Sequence, residues 1–440
     1  MFRLITGAVL CAACSLSHAA LNIQSWTLDN GARVLFVENH TIPMLDVSVD
    51  FDAGDRRDPA GKSGVAALTN AMLARGVHQG TSAAEPALNE AQISDGFADI
   101  AAQRGNRVEG DRAGLTLRTL TTERDAAIAL LARVLAQPSF PADLLERDKA
   151  RTIAAIRESL TKPEVIADRA FDKLLYGSHP YGDNPGSESI GAITRDDLAT
   201  FYAGHYVANR AVIAMIGDAT RADADRIARQ LTMHLPQGAP LPDLPPVVIA
   251  AGGEQRIAHN SAQAHILIGE PALTRHDPDY FALMVGNYTL GGGGFVSRLM
   301  NQVREKRGLA YGVYSYFEPL AQPGPFQIGL QTKSDQADEA LKIVRETVAS
   351  FLRDGPTEAE LAAAKDNLIG GFALRLDSNR KLLENVAMIG FYGLPLDYLD
   401  TWTDKVSRVT AAQIRDAFKR KLQMDKLSTV VVGAAAKSSP

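Results

Sequence analysis

The chain contains itself twice. Residues 194–217 read TRDDLATFYAGHYVANRAVIAMIG and residues 410–433 read TAAQIRDAFKRKLQMDKLSTVVVG, so that Thr194 and Thr410, Leu198 and Ile414, Tyr202 and Phe418, and Gly217 and Gly433 each stand 216 positions apart without a gap. A repeat of this length means that one folding unit is built twice, which settles architecture before any motif is considered. Within a few residues the same offset pairs the helical pattern of 126–135 with that of 339–351, and the helix led by Pro141 with the one led by Pro356. Each half also opens alike, with an apolar strand (45–51 or 264–268), an Asp-Pro step at Asp58-Pro59 or Asp277-Pro278, and an apolar helix.

These correspondences place two homologous domains at 21–225 and 255–436. A linker at 226–254 joins them, where Pro236, Pro240, Pro242, Pro245 and Pro246 deny the backbone helix and central-strand hydrogen bonds. Apolar spacing at 339–351 and 358–372 is helical, whereas 108–120 and 326–332 alternate as half-buried strands do. The expected class is α+β, with helices packed on one face of a mixed or antiparallel sheet in each half.

At 440 residues the chain is long enough to bury more than one core. Its 46 Lys and Arg are outnumbered by 51 Asp and Glu, giving a net charge of -5. No basic excess is available to neutralise phosphates, which argues against a nucleic acid partner. Met1-Phe2-Arg3, an apolar run over 4–16 and Ser17-His18-Ala19 have the layout of an export signal covering 1–19, too short to span a bilayer. The expected location is therefore periplasmic or secreted, with no transmembrane segment in the mature chain. Both cysteines, Cys11 and Cys14, lie in that leader, so cleavage after Ala19 leaves neither a disulfide nor a thiolate nucleophile; acylation at Cys14 is the alternative, giving a lipid-anchored chain.

After the first strand come Ala53-Gly54, a charged turn, Ser63-Gly64 and a helix ending Met72-Leu73. This layout resembles the pitrilysin/insulinase metallopeptidases, whose active members carry H-x-x-E-H here: two His one turn apart bind zinc and the Glu activates water. The matching positions are Ala67, Asn70 and Ala71. Alanine has no lone pair to give, and an amide takes no proton at neutral pH. Further on, Glu146 falls near the family's third ligand, but a lone carboxylate does not hold zinc and reads equally as a surface ion-pair residue. Among the histidines no pair is spaced i, i+4; His259 and His265 read as unrelated, and His179, in a His-Pro-Tyr-Gly loop like one of the family's, as a turn or packing residue.

In the second half, Gly291, Gly292, Gly293 and Gly294 run into Phe295-Val296-Ser297-Arg298, and Arg304 and Tyr311 follow seven positions apart. This block resembles the family's C-terminal half, where a glycine-rich loop precedes a helix and an Arg and a Tyr at this spacing face the zinc across a chamber. A fixed phenol and guanidinium can donate to the oxygen on which peptide hydrolysis builds charge, wherever the metal is held. On the bare residues, Arg304 reads equally as a surface ion-pair partner and Tyr311 as a core aromatic. The glycines match no phosphate-loop pattern and would serve as a turn, or as backbone beside an extended substrate strand.

The resemblance implies a clam-shell of two chains, one carrying zinc and the other the Arg/Tyr pair. This sequence matches the second: a chain binding no cofactor, whose partner is a homologous zinc-bearing peptidase subunit and whose substrates are peptides or unfolded segments. The alternative within the family is a non-catalytic scaffold or assembly protein.

Overall fold

The computed structural model describes residues 21–80 and 85–433. The expected leader, with Cys11 and Cys14, and the end of the second half at 436 lie outside the described residues. In chain order the strands are β1 (Gln24–Thr27), β2 (Arg33–Glu38), β3 (Met44–Phe51), β4 (Gly76–Val77), β5 (Leu88–Asn89), β6 (Gln103–Val108), β7 (Ala113–Leu120), β8 (Val212–Gly217), β9 (Glu254–Ile257), β10 (Gln263–Leu273), β11 (Ala310–Phe317), β12 (Gly324–Lys333) and β13 (Ser428–Val432). One sheet has the order β1-β2-β8-β3-β7-β6 and the other β11-β12-β10-β13-β9; β4 pairs with β5 apart from both.

The duplication is visible in the pairing. The repeated segment ends in β8 in one half and β13 in the other, and each lies between one parallel neighbour (β2 or β9) and one antiparallel neighbour (β3 or β10). Edge strand β6, paired to β7, thus corresponds to edge strand β11, paired to β12.

Helices cover one face of each sheet, and the opposite face is not left to water. In β8, Ile213 and Met215 point into one core, whereas Val212, Ala214 and Ile216 point into another. Every residue of this strand is buried, as expected of a strand covered on both sides. The second cover is exchanged between the halves. Helix Pro163–Tyr176 lays Ala167, Phe171 and Leu175 on Leu267, Val430 and Val432 of the second sheet. Helix Asn379–Tyr392, whose ends stand 216 positions after those of the first, lies over β2, β3 and β8 of the first sheet. At Gly390 a Cβ atom would come within 2.5 Å of Leu35 Cδ1 and 2.8 Å of Val212 Cγ1, so this helix sits on the strands at glycine distance. Each large side chain buried in this way contributes about 1.5–3 kcal/mol.

The halves also meet at Asp111, 1% exposed, in the turn between β6 and β7. Its carboxylate accepts from Arg56 Nη1 at 2.6 Å, Tyr181 Oη at 2.5 Å, Tyr392 Oη at 2.7 Å and the Ala321 backbone N–H at 2.7 Å. A buried charge met by this many donors holds its position. The turn corrects one expectation: 108–120 is not a single strand, because Glu109 and Arg112 close a turn (N to O, 2.8 Å) whose carbonyls accept from Asp55 and Arg56.

A second correction concerns the linker. Helix Arg221–Thr232 runs past the expected boundary at 225 because Ala224, Ile227, Ala228 and Leu231 continue a helical stripe into the first core. The proline-rich stretch that follows contains no helix or strand before β9. It is pinned by His179, which accepts from the Tyr181 N–H at 3.1 Å and lies 3.0 Å from the Pro245 carbonyl.

Candidate functional site

In the first half the helix Val65–Met72 begins where Asp58 accepts from the backbone N–H of Gly64 (2.6 Å) and Ala66 (2.7 Å), which is what the Asp-Pro step provides. Burial pushes the Asp58 carboxyl up to about 7. Along this helix Ala67 is exposed, Ala71 half-buried and Asn70 fully buried. Asn70 donates through Nδ2 to the Gly114 carbonyl (3.0 Å) and Tyr206 Oη (3.1 Å), while its Oδ1 and its carbonyl each accept from Asn106 Nδ2 at 2.8 Å. The residue standing where an active relative has its water-activating acid is therefore a structural clasp between helix and sheet.

These residues do not fit a zinc ion. Ala67 and Ala71 have no ligand atom, Asn70 is tied in the core, and Glu146 is 69% exposed with Lys149 Nζ 3.0 Å away. Among the described residues no group of three His, Cys, Asp or Glu is placed to hold a metal. His259 and His265 share no hydrogen-bond partner, although the His259 charge acts on His265: His259 Nε2 lies 3.1 Å from the Thr161 carbonyl, and His265 Nε2 lies 3.9 Å from Glu164.

The second half brings its two expected residues together. Arg304 lies on a wide π-helical turn, Met300–Glu305, and Tyr311 near the start of edge strand β11. The register of β11 against β12 shifts between Ala310 and Val313, so Tyr311 and Gly312 bulge from the ladder. Such a bulge re-aims a side chain, and Tyr311 is 85% exposed, not a core aromatic. The Arg304 guanidinium carbon is 5.0 Å from the Tyr311 ring centre and 4.7 Å from that of Phe295. Two exposed rings thus flank one cation. Its carboxylate neighbour, Glu305, is 3.6 Å away, which is too long for a hydrogen bond. Phe295 was not singled out in the sequence; the signal for it was an aromatic directly after four glycines.

The glycines divide in two. Gly291 is buried, and a Cβ there would meet Ser315 Oγ at 2.3 Å and Ser315 N at 2.7 Å, so it lets the helix end lie on β11. Gly293 is half-buried against Tyr288. Gly292 and Gly294 are exposed, and Gly294 has φ of +61°, which turns the chain to present Phe295.

Beside Tyr311 lies a cleft of about 290 Å³ under helix Pro163–Tyr176, lined by Glu164, Asp168, His265, Tyr311, Tyr314 and Gln331. Burial raises the carboxyl of Asp168 and the phenol of Tyr314 and lowers the imidazole of His265. Sequence spacing gave no hint of this grouping, because the helix comes from the other half.

Residues 192–368 match the family model described as the peptidase M16 inactive domain. A solved peptidase M16 inactive domain from Pseudomonas fluorescens is 38% identical, with a TM-score of 0.89, over 96% of this chain and 100% of its own. A non-peptidase homolog, YmxG, of Helicobacter pylori is 26% identical over 96% of this chain and 94% of its own length. The structure of the periplasmic protease PqqL from Escherichia coli shares the fold at a TM-score of 0.79 and 18% identity, over 94% of this chain and 46% of that one. With the zinc positions replaced and the fold matched over nearly its whole length, this chain belongs to the peptidase M16 family, the pitrilysin/insulinase type, as an inactive member.

Proposed function

We propose that this chain is the metal-free subunit of a two-chain zinc endopeptidase. It binds extended peptides and offers Arg304 and Tyr311 to a carbonyl oxygen polarised by zinc on a homologous partner. The observation carrying this reading is the state of Arg304: a guanidinium packed near two exposed rings, one of them the phenol of Tyr311, with no hydrogen-bonded carboxylate. Glu305 lies within ion-pair distance at 3.6 Å but makes no hydrogen bond, which leaves the guanidinium N–H groups open to a carbonyl oxygen. Donors fixed before reaction stabilise developing oxyanion charge where water is excluded. Zinc enters through the partner alone, since Ala67, Asn70 and Ala71 cannot ligate it. The leader expected at 1–19 and the fold shared with a periplasmic protease support action on peptides in the periplasm.

The test is co-expression with a homologous chain bearing H-x-x-E-H. Peptide cleavage by the pair should fall about 100- to 1000-fold with Tyr311→Phe or Arg304→Ala, the range for loss of one oxyanion donor. Equal cleavage without either donor would leave a scaffold role instead.

A further inference from the structure

Asn70 begins a chain of hydrogen bonds that ends on an unusual cation. Its Oδ1 accepts from Asn106 Nδ2 at 2.8 Å, and Asn106 Oδ1 in turn accepts from Arg104 Nη1 at 2.6 Å. Arg104 and Asn106 lie two apart on β6, and β6 is one of the two edge strands of the first sheet. Among the described residues, Arg104 has no carboxylate within ion-pair distance. Its neighbours are spoken for: Arg75 and Arg147 share Glu90 and Asp148, Arg118 holds Asp46 at 2.7 Å, and Arg107 faces Asp50 at 3.4 Å. Burial and the nearby Arg75 charge pull the Arg104 guanidinium below its usual range, as happens to a half-buried cation lacking a counter-charge.

Arg104 also lines both clefts that flank the β6 edge. One, of about 430 Å³, contains Ser94 and Phe97; the other, of about 410 Å³, contains Arg118 and Arg380. We infer that this edge is a carboxylate-binding site of the first half, in which Arg104, held in place through Asn106 by Asn70, takes the carboxylate of a peptide lying along β6. A guanidinium presents paired donors that match a carboxylate, and an unpaired strand edge offers the N–H and C=O groups an extended chain needs. The carboxylate belongs either to an acidic side chain or to the peptide's C-terminus. The role is the reverse of a water-activating acid: Asn70 supports a fixed positive charge beside the helix that lost its metal ligands.

This rests on the peptide-binding part of the proposed function and not on zinc. Anisotropy on the chain alone reads it, whereas cleavage with a partner reads the other, so each can fail separately. The probe is one labelled extended hexapeptide in three forms: internal Glu with an amidated end, internal Gln with a free carboxylate end, and internal Gln with an amidated end. A carboxylate-bearing form should bind about 10- to 100-fold tighter than the neutral one, and which form does so identifies the source. Arg104→Gln should abolish this preference and Arg104→Lys retain part of it. Equal binding of all three forms by the wild type, or equal weakening of all three in Arg104→Gln, would overturn the assignment. Should Arg104→Gln not fold, the wild type decides: added salt must weaken the preferred form and leave the neutral one unchanged.

Discussion

The guanidinium carbon of Arg304 stands 4.7 Å from the centre of the Phe295 ring and 5.0 Å from that of Tyr311. Phe295 is 67% exposed, so its ring is held out by the glycine turn and not by a core. An exposed cation–π contact contributes about 0.5–1 kcal/mol. Phe295→Ala is therefore expected to lower partner-dependent kcat/KM about 2- to 5-fold while leaving the melting temperature unchanged. A matching fall in melting temperature would show that the ring serves stability instead.

Restoring an acid at Asn70 is expected to be costly. Asn70 is fully buried and donates to the Gly114 carbonyl and Tyr206, and a carboxylate can only accept. Asn70→Glu should cost about 3 kcal/mol or more, read as a shift in the urea midpoint at constant slope. The triple variant Ala67→His, Asn70→Glu, Ala71→His should be no more stable with added zinc. Recovery of the wild-type midpoint on zinc addition would show that the helix keeps metal geometry.

The exchanged helices make the two sheets depend on each other. Gly390→Leu would drive a side chain into Leu35 and Val212, at a cost of about 1–3 kcal/mol for overpacking. Calorimetry should show one unfolding transition in the wild type and one, at lower temperature, in the variant. Two separated transitions would mean that the halves unfold independently.

Glu270 sets a pH dependence. It is 1% exposed in β10, accepts from the Gln423 N–H at 2.7 Å, and is pushed by burial from 4.5 up to about 7. Between those values the folded chain keeps a proton that the unfolded chain releases, so this group's contribution to stability falls as pH rises from 4.5 to 7. Glu270→Gln should flatten the urea midpoint across that window by an amount equivalent to about 3 kcal/mol. Identical slopes in variant and wild type would exclude the group.

Much of the fold could be read along the chain. The 216-residue offset gave two repeated halves, and the structure returns them as β8 and β13 in matching sheet positions. Arg304 and Tyr311 were singled out through the family resemblance, and the structure brings them together across one turn and one bulge. Helix Pro163–Tyr176 was not legible as the roof of the cleft beside Tyr311, because periodicity shows that a helix has an apolar stripe but not which sheet receives it. Phe295 and Arg104 were missed for a related reason. An exposed aromatic and a single arginine look ordinary until their neighbours are seen to be stacked or already paired.

The sequence by itself determined the duplication and the loss of zinc chemistry, since ligand atoms are properties of side chains: alanine brings none to any fold. Only the tertiary structure decided what replaced that chemistry. Whether Asn70 is a relic or a clasp and whether Arg104 has a counter-charge depend on groups brought from distant positions. Burial and hydrogen bonding set the cost and the use of each polar atom, and both are decided by packing across the sheets.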